Sequence, residues 1–161
     1  MNEIVIIGAK GKIGIDKLIK KMHKFCSLCQ VFDASIICGK EHVMAAYKHA
    51  KRAFKYKKNI SNSIEIEILL YAAGKRQIKD AIKFAGAKEN GKYAFLFIGK
   101  SEKEVKSFLE NIGLEIDNNI LKPTIKKLKK FGITEKELKT VGKSMYADLV
   151  LEKIAMLELQ K

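Results

Sequence analysis

The stretch IEIEILLYAAGKRQIKDAIKFAG, residues 64–86, reads two ways, and the choice between them sets the fold. Its opening IEIEI alternates apolar and acidic residues, the period of a half-buried strand. Asn62, with Glu65 three residues on, is instead the signature of a helix N-terminus. Residues 64–71 run on into a second helical pattern at 75–85, so we read them as helix.

With that segment helical, few strands remain. EIVIIGA (3–9), QVFDASIIC (30–38) and KYAFLFIG (92–99) are short apolar or β-branched runs and read as strands. Helical periods occupy GIDKLIKKMHKF and KEHVMAAYKHAKRAFKYKK (40–58). The latter carries Val43, Ala46, Tyr47, Ala50 and Phe54 on one side and Lys48, Lys51, Arg52 and Lys55 on the other, so it is amphipathic and basic. SEKEVKSFLENIG (101–113) has a capping box, Ser101 with Glu104, and a glycine stop. Pro123 and Thr134 each open a further short helix, and a last helix runs from about Ser144 to Leu159. The expectation is one α+β domain over residues 1–161, a small mixed β-sheet covered by seven or eight helices.

The composition agrees with a single domain. A chain of 161 residues, 47% apolar, with one proline and no Gly/Ser-rich linker, has enough material for one core and little for two. Its 32 Lys and Arg against 18 Asp and Glu give a formal charge of +14. Such a charge favours polyanionic partners, nucleic acid first and anionic membrane second. No secretory signal precedes the first strand, and no window approaches the ~20 apolar residues of a membrane helix, so a cytoplasmic protein is expected.

Several motifs suggest chemistry. VIIGAKGKIG (5–14) resembles a dinucleotide-binding turn, with Asp33 about twenty residues on. Too few strands exist for the usual doubly wound sheet, and Tyr47 with Lys51 follows the second strand too early to be a catalytic pair. A glycine turn with basic residues is the plainer reading, and a small NAD- or NADP-type enzyme is the alternative. CSLC (26–29) with His23 and Cys38 offers a four-ligand zinc set. No second CxxC exists, however, and Phe25 and Leu28 interleave the cysteines like a packing face. We expect no metal and no cofactor. His42 and His49 lie near one helix face with no acid so placed in sequence as to suggest an acid–base pair, and nothing gives a positive reason to expect an enzyme.

The segment AAGKRQI sets a glycine, two cations and an amide where one helix ends and another begins. Gly74 can end the first, and the free N–H groups of the second face outward. Arg76 can fork onto a phosphate or stack on a base, and Gln77 can both donate to and accept from a base edge. On residues alone, the favoured reading is the plainer one, in which Ser61 and Asn62 merely cap and Arg76 is solvated.

The series EHV…A…HAKRAF, NISNS, EILLYAAGKRQI..AI and GAK, densest over residues 40–88 and collinear through the ending VLEKIAMLEL, resembles the small subunit of the KEOPS (EKC) complex. This is the family of the PRPK-binding protein TPRKB, in its archaeal form. The resemblance implies a non-catalytic protein that assists threonylcarbamoylation of the adenosine next to the anticodon in ANN-decoding tRNAs. It further implies docking on a kinase-like ATPase subunit, indirect association with the other KEOPS subunits, and binding of the single-stranded CCA tail of tRNA. The chemistry would belong to a separate transferase. On that basis the expected RNA contacts are Lys75, Arg76, Gln77, Ile78, Ser61, Asn62 and Ser63, with Lys51 and Arg52 from the basic helix.

The final helix adds the expected partner surface. Tyr146, Leu149, Val150, Ile154 and Leu157 form one apolar stripe, and Leu151, Ala155 and Leu159 form a second beside it. So wide an apolar arc is deeply buried or shared with a partner. With the resemblance, Tyr146, Val150, Leu151, Ile154, Ala155 and Leu159 become the candidates for the kinase-like subunit.

Overall fold

A computed structural model describes residues 3–160. The chain runs β1 (Ile4–Lys10), α1 (Ile15–Phe25), β2 (Leu28–Asp33), α2 (Lys40–Lys55), α3 (Ile64–Ala73), α4 (Ile78–Ala85), β3 (Lys92–Ile98), α5 (Glu102–Asn111), β4 (Glu115–Ile116), α6 (Ile125–Lys130), α7 (Glu135–Lys139) and α8 (Tyr146–Gln160). The four strands form one sheet in the order β2-β3-β1-β4, and every neighbouring pair is antiparallel. The α+β class stands, but the expected mixed sheet is corrected. The helical crossover from β1 to β2 would lay those two strands side by side in parallel, and β3 separates them.

Both faces of the sheet are covered, which explains why its strands read as continuous apolar runs. Successive side chains alternate between faces. Val5, Ile7, Val31, Phe95 and Phe97 meet Leu18 and Met22 of α1 and Val105 and Leu109 of α5. Ile6, Phe32, Leu96 and Ile98 meet α2, α3 and α4 on the other face. A third, smaller cluster gathers Cys38, Leu128, Ile133 and Leu138 under Val150 and Ile154 of α8.

The ambiguous segment is a helix. Every residue of α3 from Glu67 to Ala73 is buried, so no polar face exists to give its sequence a 3.6-residue period. Its cap is Ser63, which accepts from the Ile66 N–H, and not Asn62. The second strand stops at Asp33 because that carboxylate accepts from the Ser35 N–H and turns residues 34–36 into a 3-10 turn. The Ser101–Glu104 capping box forms as expected, and a second links Thr134 with Glu137. No helix among the described residues is long and apolar enough to cross a membrane.

Candidate nucleic-acid interface

The end of α3 is built to turn the chain outward. Gly74 sits in the left-handed region at φ 65°. Its N–H donates to the Tyr71 carbonyl at 3.1 Å, and the Lys75 N–H reaches back to the Leu70 carbonyl at 3.1 Å. This pairing closes the helix in a Schellman motif, whose left-handed residue is best supplied by glycine. Lys75, Arg76 and Gln77 then form an exposed bend. α4 begins at Ile78, later than expected, with Gln77 at its N-cap position and no side-chain bond closing that end.

The bend opens onto a recess of about 420 Å³ lined by Gly74, Lys75, Phe84, Lys130, Phe131, Lys153 and Met156, among others. Lys75 Nζ lies 5.1 Å from the centre of the Phe84 ring. Phe84 stands edge-on to Phe131 at 5.0 Å, and Phe131 edge-on to His42 at 5.4 Å. Cations and partly exposed aromatic rings thus share one hollow, the combination that holds unpaired nucleotides through charge and stacking.

A second, smaller recess adjoins it through Lys130. Lys92, Lys122, Lys126, Lys127 and Lys130 line it together with Ser35, Asn119 and Thr124, and no acidic residue contributes. Lys127 is buried, donating from Nζ to the carbonyls of Ile37 and Ile120, each at 2.7 Å. Burial, reinforced by the charges of Lys130 and Lys92, pushes its pKa down to about 8.

The residues singled out in the sequence do not all meet here. Lys75 lines the first recess, whereas Arg76, Gln77 and Ile78 continue past it on the exposed surface. Ser61, Asn62 and Ser63 lie at the far end of the ten-residue α3, about 15 Å away along its axis. Ser61 is turned inward: its N–H donates to Glu67 at 2.8 Å and its hydroxyl accepts from the Ser63 N–H. It therefore shapes the turn rather than facing a ligand. Lys51 and Arg52 are exposed on α2, where Lys51 lies over the Tyr47 ring and Arg52 faces Glu158 of α8. Phe131, Lys130 and Lys153 went unnoticed in sequence, because only the fold brings them beside Gly74.

A model of the family described as Kinase binding protein CGI-121 matches residues 14–158. The chain belongs to the CGI-121 family. Over 132 residues it is 36% identical to a protein named Regulatory protein Cgi121 from Methanocaldococcus jannaschii, covering 82% of this chain and 84% of that one. Over 108 residues it is 33% identical to a KEOPS complex subunit Cgi121 from Pyrococcus abyssi, covering 66% of this chain and 61% of that one.

In this CGI-121 family member, α8 divides its apolar arc between the chain's own core and solvent. Val150 and Ile154 are fully buried in the third cluster, which removes them from any surface and corrects their place among the partner candidates. Tyr146 and Leu151 are half-buried against the same cluster. Ala155 is half-buried, and the outward side is completed by Leu159, 82% exposed, and Met156, 51% exposed. His49 Nδ1 and Arg52 both reach Glu158 Oε1, at 2.9 and 3.4 Å, and tie the end of α8 to α2.

The dinucleotide motif is explained by packing. The Gly8 N–H donates to Asn118 Oδ1 at 2.8 Å and its carbonyl accepts from the Asp117 N–H at 2.8 Å. A Cβ on Gly8 would fall 2.6 Å from the Asp117 carbonyl oxygen. The glycine admits a neighbouring chain segment, and its N–H is already engaged. Asp33 is likewise committed, to the Ser35 N–H, the Asn90 amide and Lys88. These hydrogen bonds and the Lys88 charge outweigh burial and hold its carboxyl below the usual range.

Proposed function

We propose that this CGI-121 family member is a non-catalytic, cytoplasmic subunit of the KEOPS complex that binds the unpaired CCA end of tRNA and docks on the kinase-like ATPase subunit. The KEOPS assignment rests on the family match and on the name of the Pyrococcus relative. One observation carries the RNA reading: the recess beside Gly74 joins Lys75, Lys130 and Lys153 with the rings of Phe84 and Phe131. The lysines neutralise phosphates, and the rings offer faces on which bases stack without a duplex. The exposed bend Lys75–Gln77 and the N–H groups opening α4 extend the cationic edge, and the Gln77 amide has both a donor and an acceptor for a base. The lysine-lined recess beyond Lys130 continues the track for the phosphates of the paired stem.

The reading is tested by filter binding of the purified chain to one tRNA, intact and trimmed of its CCA tail. At least a tenfold loss on trimming is expected. Equal binding of the two would make the contact one of the tRNA body alone, and no binding of either would leave a protein scaffold.

A further inference from the structure

The four-ligand set suggested by the sequence is taken apart by the fold, because Cys38 lies under α8 while Cys26 and Cys29 lie between the sheet and its other helical layer. A different set is assembled instead. A ring nitrogen of His23, Sγ of Cys29 and a carboxylate oxygen of Glu65 all lie within 4.8 Å of one another. They come from α1, β2 and the first turn of α3. We propose that His23, Cys29 and Glu65 form a binding site for a borderline-soft divalent cation, zinc by the chemistry of the donors.

The geometry needs little adjustment. His23 Nε2 and Glu65 Oε2 stand 3.6 Å apart, against about 3.4 Å for two ligands of a tetrahedral ion with bonds of ~2.05 Å. The Cys29 thiol donates to the Cys26 carbonyl at 3.5 Å and would give up that bond on binding, while the partly exposed imidazole can turn to meet it. Two of the positions are firmly held. Cys29 is in ladder register opposite Phe97, and the Gln30 amide beside it donates to the Glu65 carbonyl at 2.8 Å. The Cys26 thiol is near but directed elsewhere, towards the carbonyls of Leu28 and Ile98.

Coordination has to displace a proton from the thiol. Burial, with Cys26 and Glu65 close by, pushes the Cys29 thiol up to about 12. Burial also raises the Glu65 carboxyl, against the pull of His23. The thiol is therefore protonated without an ion, and on coordination the charge of the dication offsets both the new thiolate and the Glu65 carboxylate. Binding forms a metal–sulfur bond, releases the thiol proton to solvent and leaves every oxidation state unchanged. His23 binds as neutral imidazole. Nitrogen and thiolate donors select zinc over magnesium or calcium, and three protein ligands leave a fourth position for water on the open side of His23. The ion would brace α1, β2 and α3, and it does so independently of the RNA reading.

The test titrates the untagged full chain with Co²⁺ as a spectroscopic probe, with zinc as competitor. The expected result is a saturable thiolate-to-cobalt charge-transfer band at one ion per chain, displaced by zinc. It should vanish in Cys29→Ser, persist in Cys26→Ser and Cys38→Ser, and need at least tenfold more cobalt in His23→Asn and Glu65→Gln. The latter two change partly exposed side chains and keep the fold measurable even if Cys29→Ser does not. Absence of the band in the wild-type chain, its survival in folded Cys29→Ser, or equal affinity in wild type, His23→Asn and Glu65→Gln would overturn the site.

Discussion

His42 Nε2 donates to the Ala72 carbonyl at 2.8 Å, while its Nδ1 accepts from the Cys38 N–H at 2.9 Å. The second bond fixes the tautomer, since a ring that accepts at Nδ1 carries its proton on Nε2. The neutral imidazole therefore clamps α2 onto the last turn of α3, two residues before Gly74. Removing it in His42→Ala leaves a buried N–H and a buried carbonyl without partners and should cost roughly 2–4 kcal/mol, read by urea denaturation.

The same ring makes stability depend on pH. Burial pushes the His42 pKa from 6.5 down to about 4. Between those values the unfolded chain binds a proton that the folded chain refuses, so stability is full above pH 6.5 and falls as the pH drops towards 4. The loss attributable to this group should approach roughly 3 kcal/mol. Denaturation at pH 7.5 and pH 4.5 checks it: His42→Gln should lose less between the two than wild type does, and equal losses would reject the assignment.

Arg76 is exposed on the bend after Gly74, so Arg76→Glu should leave the melting temperature within a degree or two. Its affinity for intact tRNA should fall at least tenfold, with little change on tRNA lacking CCA. Unchanged affinity for the intact molecule would remove Arg76 from the interface.

On the proposed track, Lys122 and Lys126 line the recess beyond Lys130, away from the one proposed for the CCA tail. Charge reversal at either should weaken intact and trimmed tRNA alike and reduce the salt slope of binding by about one each, as loss of a phosphate contact does. Reversals of Lys48, Lys51 and Lys55 on α2 should act in the same graded way. Unaltered binding at low salt would mark those side chains as solvated.

On α8 the two sides of the helix should separate cleanly. Leu159→Glu should weaken association with the kinase-like subunit while leaving tRNA affinity and melting temperature unchanged, and Leu151→Glu should do so with some loss of stability. Val150→Ala should cost about 1–3 kcal/mol with no selective defect. A co-purification assay beside thermal melts distinguishes them, and intact association of Leu159→Glu would place the partner elsewhere.

Much of this was legible in the residues, and the failures have physical causes. The helix at 64–73 could be read from its polar start and its continuity with the next helical pattern, yet its IEIE opening mimics a strand because Glu67 points inward. That buried carboxylate accepts from the N–H groups of Ile60 and Ser61, a role invisible without the turn it organises. Antiparallel order was hidden because β3 inserts between two strands that precede it. The bend at Lys75–Gln77 was found from local chemistry. Its aromatic and cationic wall was not, since Phe131 and Lys153 lie more than fifty residues on. His49 seemed to have no acid, until α8 delivered Glu158.

The position of β3 between β1 and β2 has a consequence for synthesis. Both earlier strands emerge from the ribosome with β3 still to come, and neither gains its full ladder partner until Ile98 has been made. At ~5–20 residues per second, IVIIGA waits roughly 5–20 s as an unpaired apolar edge. The helices α2 to α4, which pack against one another over short sequence separations, can form during that interval. Nascent chains paused before residue 98 should therefore carry a folded helical layer and a strand open to chaperones or to a neighbouring copy.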